Sequence, residues 1–116
     1  MLEIILIFQG GKYCMKKIDT KGLIEFKKDS KNSFLIFDSN EARLALFCSE
    51  SGQGVSKCCS SSRVMMAVLE GTGMFLAEGE EIEAGPGSVI IWEPGEPHGY
   101  TAKTRLVFLA TIAPKP

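Results

Sequence analysis

The sequence is poor in histidine, the commonest metal ligand in proteins. Its 116 residues include a single histidine, His98, so no centre within one chain can share its work between two imidazoles. The four cysteines are Cys14, Cys48, Cys58 and Cys59. None of them forms a CxxC motif, which excludes the common zinc-binding and dithiol redox signatures. Any metal-binding or redox chemistry that uses imidazole or thiol groups therefore depends on His98 and these four cysteines.

Long apolar runs and one-sided charge are also missing. The chain has 13 Lys and Arg against 14 Asp and Glu, and the absence of a basic patch argues against nucleic acid as a partner. The first apolar run, Leu2–Phe8, contains Glu3, has no basic residues before it and is far too short to span a bilayer. We therefore expect no membrane partner, a cytoplasmic location and reduced thiols.

No segment has the apolar periodicity of a helix. Short apolar runs alternate with Gly, Ser, Asp, Asn and Pro, a pattern typical of a β-sandwich or barrel with one core. Val64–Leu69 is almost entirely apolar and predicts a strand buried on both faces. Glu78-Gly79-Glu80 predicts a tight hairpin. The predicted strands are Ser33–Phe37, Ala42–Cys48, Val64–Leu69, Met74–Ala77, Glu81–Ala84, Ser88–Trp92 and Leu106–Ile112.

The beginning of the chain is predicted to be separate from the rest. Residues 1–14 are interpreted as an N-terminal extension and residues 15–116 as a single domain, since Gly10-Gly11 precedes a second plausible start at Met15. The extension is either an added edge strand that follows an upstream start codon or a strand swapped onto a partner subunit. Both alternatives favour a homodimer, because an uncovered apolar edge strand promotes aggregation.

The segment Gly85–His98 is the most informative part of the sequence. It combines a Gly-Pro-Gly turn, a short apolar strand and a second turn that contains Pro94 and Pro97, and it ends at the only histidine. Proline fixes φ and glycine allows positive φ, so both turns are conformationally restricted. A histidine held this firmly predicts a site at this end of the strand.

The same segment resembles the second motif of the cupins, commonly written G-D-x4-P-x-G-x2-H. The matching residues are Gly87, Gly95 and His98, whereas Ser88 replaces the aspartate and Glu93 the first proline. Upstream, Val68-Leu69-Glu70-Gly71 resembles the end of the first cupin motif. The resemblance covers about residues 33–113. It implies a small single-domain cupin with an all-β double-stranded β-helix, or jelly-roll barrel, and it too favours a dimer.

The first cupin motif, H-x-H-x3–4-E, is degenerate in this chain. Aligned on Gly71, its two histidines fall on Cys58 and Ser60 and its glutamate falls on Val64. The resemblance leaves His98, Cys58 and Glu93 as the candidate metal donors. A transition-metal site needs three or four donors, whereas His98 and Cys58 supply two and Glu93 would have to swing in from its turn. We therefore predict no cofactor, while a divalent transition metal remains the alternative.

The sequence leaves several functions open, and whether the protein is an enzyme stays undecided. The first hypothesis is a cupin that binds or senses a small molecule of unassigned identity in a pocket at the barrel mouth. The alternative is a metal-dependent isomerase or dioxygenase that uses His98 and Cys58. A Cys–His pair that activates a thiolate and a filled, purely structural barrel are further possibilities. The predicted pocket residues are Cys58, Ser60, Met66, Phe75, Trp92 and His98.

Overall fold

A computed structural model describes residues 4–9 and 13–116, with side chains from Met15 onward. Its regular elements are strands and one short 3-10 helix, Thr20–Leu23. The strands are β1 Ile4–Gln9, β2 Tyr13–Ile18, β3 Asn32–Asp38, β4 Arg43–Ser49, β5 Gly54–Cys58, β6 Arg63–Glu70, β7 Gly73–Ala77, β8 Glu80–Ala84, β9 Val89–Trp92, β10 His98–Ala102 and β11 Leu106–Ala113.

Two antiparallel sheets form the body of the protein. One sheet has the strand order β5-β10-β7-β8 and the other has the order β3-β4-β11-β6-β9. Alternate residues of each strand point between the sheets, where they form the main core. This core contains Val64, Met66, Val68, Phe75, Ala84, Trp92, Tyr100, Ala102, Leu106, Phe108 and Ala110. The predicted all-β double-stranded β-helix is confirmed.

The larger sheet is also covered on part of its outer face. Leu46, Cys48 and Val107 point away from the main core and pack against Leu23 from the segment before β3. Strands β4 and β11 are therefore the ones buried on both faces. Val64–Leu69 was predicted to be buried on both faces. In this chain its inner face is buried, while on the outer face Met65 and Ala67 are half-buried and Leu69 is exposed, because the described segment before β3 packs over β4 and β11.

Each strand predicted from the sequence is present within a residue or so of its expected bounds, and the Glu78-Gly79 hairpin joins β7 to β8. Besides β2, the strands β5 and β10 were not predicted. Their sequences, GVSKC and HGYTA, carry polar residues and glycine where strand patterns usually have branched apolar side chains. These two strands provide much of the site described below.

Residues Ile4–Gln9 of the N-terminal segment form β1, and the strand that pairs with it lies in the same chain. β1 pairs antiparallel with β2, from Ile4 opposite Ile18 to Gln9 opposite Tyr13, in a sheet of two strands. Residues 1–3 and the Gly10-Gly11 break lie outside the described residues. The boundary after residue 14 and the exchange of a strand between subunits stay predictions. Within the described residues, no helix has the length and apolar character needed to cross a membrane.

Candidate functional site

The turn before the histidine is a type II turn tied to a neighbouring loop. The Glu96 backbone N–H donates to the carbonyl of Glu93 at 3.0 Å, with Pro94 and Gly95 at the two central positions. Gly95 has a φ of +88°, which this turn requires of its third residue. Its N–H also donates to the carbonyl of Ser60 at 2.8 Å. This bond holds the histidine-bearing turn against the segment that follows β5.

A β-bulge brings Cys58 opposite His98. In the pairing of β5 with β10, Tyr100 is opposite Val55 and His98 is opposite Cys58, so three residue steps on β5 match two on β10. Without the extra residue, Cys58 would point to the opposite face of the sheet from Val55. The strands are very close here, since a Cβ on Gly99 would lie 2.6 Å from the carbonyl oxygen of Val55. Glycine at position 99 therefore permits the approach.

Cys58 and His98 form a contact pair at the end of the barrel. The Cys58 Sγ lies 3.6 Å from the His98 Nε2, within the range of a sulfur hydrogen bond. The imidazole also lies beside Trp92, with ring centroids 5.6 Å apart. Trp92 is itself fixed, because its indole N–H donates to the carbonyl of Leu76 at 3.1 Å. A thiol next to an imidazole provides a potential nucleophile with a base, or two donors for a soft metal.

Next to this pair a pocket of about 260 Å³ opens between the sheets. We call it the His98 pocket. Its wall is mostly apolar and is lined by Lys31, Phe47, Val55, Val64, Met66, His98, Gly99, Tyr100, Ala110 and Ile112. Small-molecule sites typically combine apolar walls with a few polar groups that orient the ligand. The interior of the barrel is therefore not completely filled by side chains.

The six predicted pocket residues have different positions. Met66 and His98 line the His98 pocket, and Cys58 contacts His98 from the adjacent strand. Phe75 and Trp92 lie in the packed core, with 1% and 3% of their surface exposed. Ser60 lies in the loop after β5, where its hydroxyl accepts a hydrogen bond from the Ser62 N–H at 3.1 Å. The structure thus gathers three of the six at the pocket or its rim.

Glu93 does not join the Cys58–His98 pair. Its carboxylate accepts hydrogen bonds from the Arg63 guanidinium at 2.7 and 3.1 Å, and this interaction lowers the pKa of the Glu93 carboxyl. Among residues 4–9 and 13–116, no three His, Cys, Asp or Glu side chains are grouped so that they would hold a metal ion. The residues present do not fit the four-ligand metal site that the cupin resemblance implies. Ligation by Cys58 and His98 stays a prediction.

Several pocket residues were not found from the sequence. Tyr100 had a usable signal, because it follows His98 by two residues and so shares its strand face. Its hydroxyl is 2.8 Å from the Ser49 hydroxyl, and burial raises the pKa of the Tyr100 phenol. Val55 had no such signal because β5 was not recognised. Lys31 reaches the pocket from a loop, which strand periodicity does not describe.

Comparison with known proteins agrees with this geometry. Residues 61–112 match the family model described as "Cupin domain". An RmlC-like cupin protein from Desulfovibrio desulfuricans has 29% sequence identity and a TM-score of 0.73, over 78% of this chain and 89% of that chain. The TT1209 protein from Thermus thermophilus has 24% identity and a TM-score of 0.80, over 84% and 96%. No curated protein matches the chain.

A third solved structure extends the likeness of fold to the full length. The conserved SPY1581 protein of unknown function from Streptococcus pyogenes has a TM-score of 0.78 at 19% identity, over 100% of this chain and 97% of that chain. The segment matched by the family model contains β6 to β11 apart from its last residue, together with the His98 turn. The resemblance seen in the sequence is confirmed: residues 61–112 match the cupin domain family, and the chain has the cupin double-stranded β-helix fold.

Proposed function

We propose that this protein binds or senses a small molecule in the His98 pocket and has a degenerate metal site. The proposal rests on one contrast: the pocket is present, but most of the metal ligands that the cupin motif would place beside it are not. The pocket is open and apolar, while the family's first-motif positions carry Cys58, Ser60 and Val64. A ligand would be held mainly by burial of its apolar part, and His98 would orient it from the rim.

The test is a ligand screen by thermal shift against the wild-type protein and a blocked variant. Val55→Phe places a ring in the half-buried wall of the His98 pocket, and Ile82→Phe, at a position of β8 that is 53% exposed and does not line this pocket, is the control. Compounds that occupy the pocket stabilise the wild type and the control but not Val55→Phe, since a ligand that binds only the folded state raises its stability. If every stabilising compound acts equally on Val55→Phe, the pocket is not the binding site.

A second candidate is a metal-dependent cupin enzyme of the isomerase or dioxygenase type, favoured by the 3.6 Å contact between Cys58 and His98. These two side chains supply two donors, so substrate, water or a neighbouring subunit would have to complete the coordination. Elemental analysis of the dialysed, untagged protein separates the candidates. Near one equivalent of a transition metal, lost in both Cys58→Ala and His98→Ala, supports the enzyme. Less than about a tenth of an equivalent, unchanged after incubation with these metals, contradicts it.

We also propose that the protein is a cytoplasmic homodimer that pairs through the outer face of β6 and β9. This outer apolar face consists of Met65, Ala67, Leu69, Val89 and Ile91. Val89 and Ile91 are 61% and 54% exposed, and β9 lies at the edge of its sheet. Cross-strand pairing places Met65 opposite Ile91 and Ala67 opposite Val89, so the apolar surface is continuous. A second copy related by a two-fold axis would cover it with the same surface.

Sedimentation equilibrium tests the dimer. The double variant Val89→Lys/Ile91→Lys puts two like charges into the outer apolar face and is expected to be monomeric. Ile82→Lys, at a position 53% exposed on β8 of the other sheet, is the control and should remain dimeric. A wild-type protein that is monomeric at micromolar concentration, or a double variant that still dimerises, would reject this interface.

A further inference from the structure

We infer that the His98 pocket selects a small organic acid, with one carboxylate and a compact apolar body formed by a single ring or a branched chain. This inference rests on the proposed binding function and adds the chemical class of the ligand. Three features of the pocket carry it: its size, the apolar character of its walls and the sign of the charges at its rim.

The size of the pocket limits the apolar body. About 260 Å³ is available, whereas a dry cavity of roughly 150 Å³ accommodates a benzene molecule. One ring with a small substituent therefore fits. The base of the pocket is rigid, because the Tyr100 and Phe108 rings pack edge to face at 4.8 Å and Phe47 stacks on Phe108 at 5.1 Å. Such a base favours a flat or compact group over a flexible polar one.

The charges at the rim have one sign. Lys31 is the charged residue that lines the pocket, and none of the lining residues within the described chain is an aspartate or a glutamate. Lys31 makes no ion pair with a side chain in the part of the chain for which side chains are described, although six other basic residues there do. An unpaired ammonium beside an apolar cavity favours an anionic group at its mouth.

The loop that carries Lys31 is attached to the body at two places. The Asn32 side-chain amide donates to the carbonyl of Glu25 at 2.9 Å. The Gln53 amide donates to the carbonyls of Lys27 and Lys28 at 2.9 and 3.2 Å. These bonds keep the loop beside the pocket, so the ammonium does not have to be brought there when a ligand binds. Preorganisation of this kind increases affinity by reducing the entropy lost on binding.

The test compares acids with their neutral amides of the same shape. Benzoate, phenylacetate and 3-methylbutanoate, each with its amide, are titrated into the full-length protein and followed by NMR shifts of the Val55, Val64 and Ala110 amides. At least one acid should bind about tenfold more tightly than its amide. In Lys31→Met the acid should lose about tenfold in affinity while the amide is unaffected. Lys28→Met, with the same charge change on the same loop, should behave like the wild type.

The possible failures are distinguishable. Acid and amide binding equally, with Lys31→Met unchanged, would overturn the selection for an acid and leave the pocket as a binding site. If Lys28→Met weakens the acid as much as Lys31→Met does, the effect is one of net charge and the assignment to Lys31 is wrong. If none of the six compounds shifts the pocket amides, this inference fails, and the thermal-shift screen decides separately whether the pocket binds anything.

Discussion

The interior of the barrel has two ends that are built from neighbouring residues of the same strands and differ in packing. At the closed end Phe75, Tyr100 and Phe108 fill the space between the sheets, with ring centroids 4.8 to 6.3 Å apart and nearly no exposed surface. At the open end the same sheets leave the His98 pocket. The comparison indicates that one end supplies stability and the other is available for binding.

The difference in packing between the two ends arises from the unequal widths of the two sheets. The larger sheet continues through β4 and β3 at one side, whereas the smaller sheet ends at β5, which is short and bulged. The inner faces of β3 and β4 therefore extend beyond the cover of the smaller sheet, and Leu35 is 52% exposed there. A cavity results where one sheet is wider than the other, without any loss of packing elsewhere in the core.

The largest expected effect is on the closed end. Phe108→Ala removes a ring that contacts three other aromatic rings and is expected to lower the free energy of unfolding by about 3–5 kcal/mol. Val55→Ala, at the pocket wall, should cost only about 1 kcal/mol because the residue is half-buried. Both losses of stability are measured by urea denaturation, and they are comparable when the m-values of the variants equal that of the wild type. Equal losses would show that the two ends do not differ in their contribution to stability.

Two buried alanines, one in the core and one at the His98 pocket, test whether free space is available beside the second and not beside the first. Ala102 is buried in the core and does not line the His98 pocket, whereas Ala110 is buried and does line it. Ala102→Met overpacks the core and should cost about 1–3 kcal/mol. Ala110→Met has a cavity to enter and should cost clearly less, while it weakens pocket ligands. A larger loss for Ala110→Met would indicate that the pocket cannot accept the side chain.

A smaller loss of stability is expected when the buried hydroxyl pair of Ser49 and Tyr100 is broken. Ser49→Ala leaves the Tyr100 hydroxyl without its partner at 2.8 Å and should cost about 1–2 kcal/mol. The double variant Ser49→Ala/Tyr100→Phe should cost less than the sum of the two single changes, because the hydroxyls interact with each other. A double-mutant cycle by chemical denaturation measures this coupling, and strict additivity would argue against the hydrogen bond.

The same tyrosine predicts an alkaline loss of stability. Burial raises the pKa of Tyr100 in the folded protein above its ordinary value of about 10. Above about pH 10 the unfolded chain therefore binds fewer protons at this residue than the folded protein does. The free energy of unfolding then falls as the pH rises. Tyr100→Phe should lose less stability between pH 9 and 11 than the wild type. The buried thiol of Cys48, whose pKa burial also raises, remains in both proteins, so the two differ in the Tyr100 phenol and in its charge interaction with Cys48.

The smallest expected effect is at Glu93. Its carboxylate is occupied by Arg63 at the surface, so Glu93→Gln should leave the affinity for pocket ligands within twofold of the wild type and should not change the metal content. Isothermal titration with any ligand found in the screen provides the measurement. A large loss of affinity would mean that the carboxylate leaves Arg63 and takes part in the site.

The fold was more predictable than the site, for physical reasons that particular residues illustrate. Apolar strands such as β6 and β11 are indicated by their composition, and Pro94 and Gly95 mark the turn between β9 and β10. From sequence alone, an aromatic side chain that lines a pocket cannot be distinguished from one in the core. Trp92 and Phe75 were therefore predicted at the pocket, whereas both lie in the packed core. The Cys58–His98 contact was expected from the cupin resemblance alone. The bulge that produces it has no signature in the polar sequence of β5.

The hydrogen bond from Gly95 to the carbonyl of Ser60 has a consequence for how this protein can change. It fixes the spacing of the two segments that carry Cys58 and His98 through main-chain atoms, and so does the glycine contact between β5 and β10. The relative position of these two segments therefore depends mainly on main-chain contacts and little on the side chains that the segments carry. Donors or nucleophiles at positions 58 and 60, which lie outside the core, can therefore be exchanged without rebuilding the scaffold, which makes this rim a site of high evolvability.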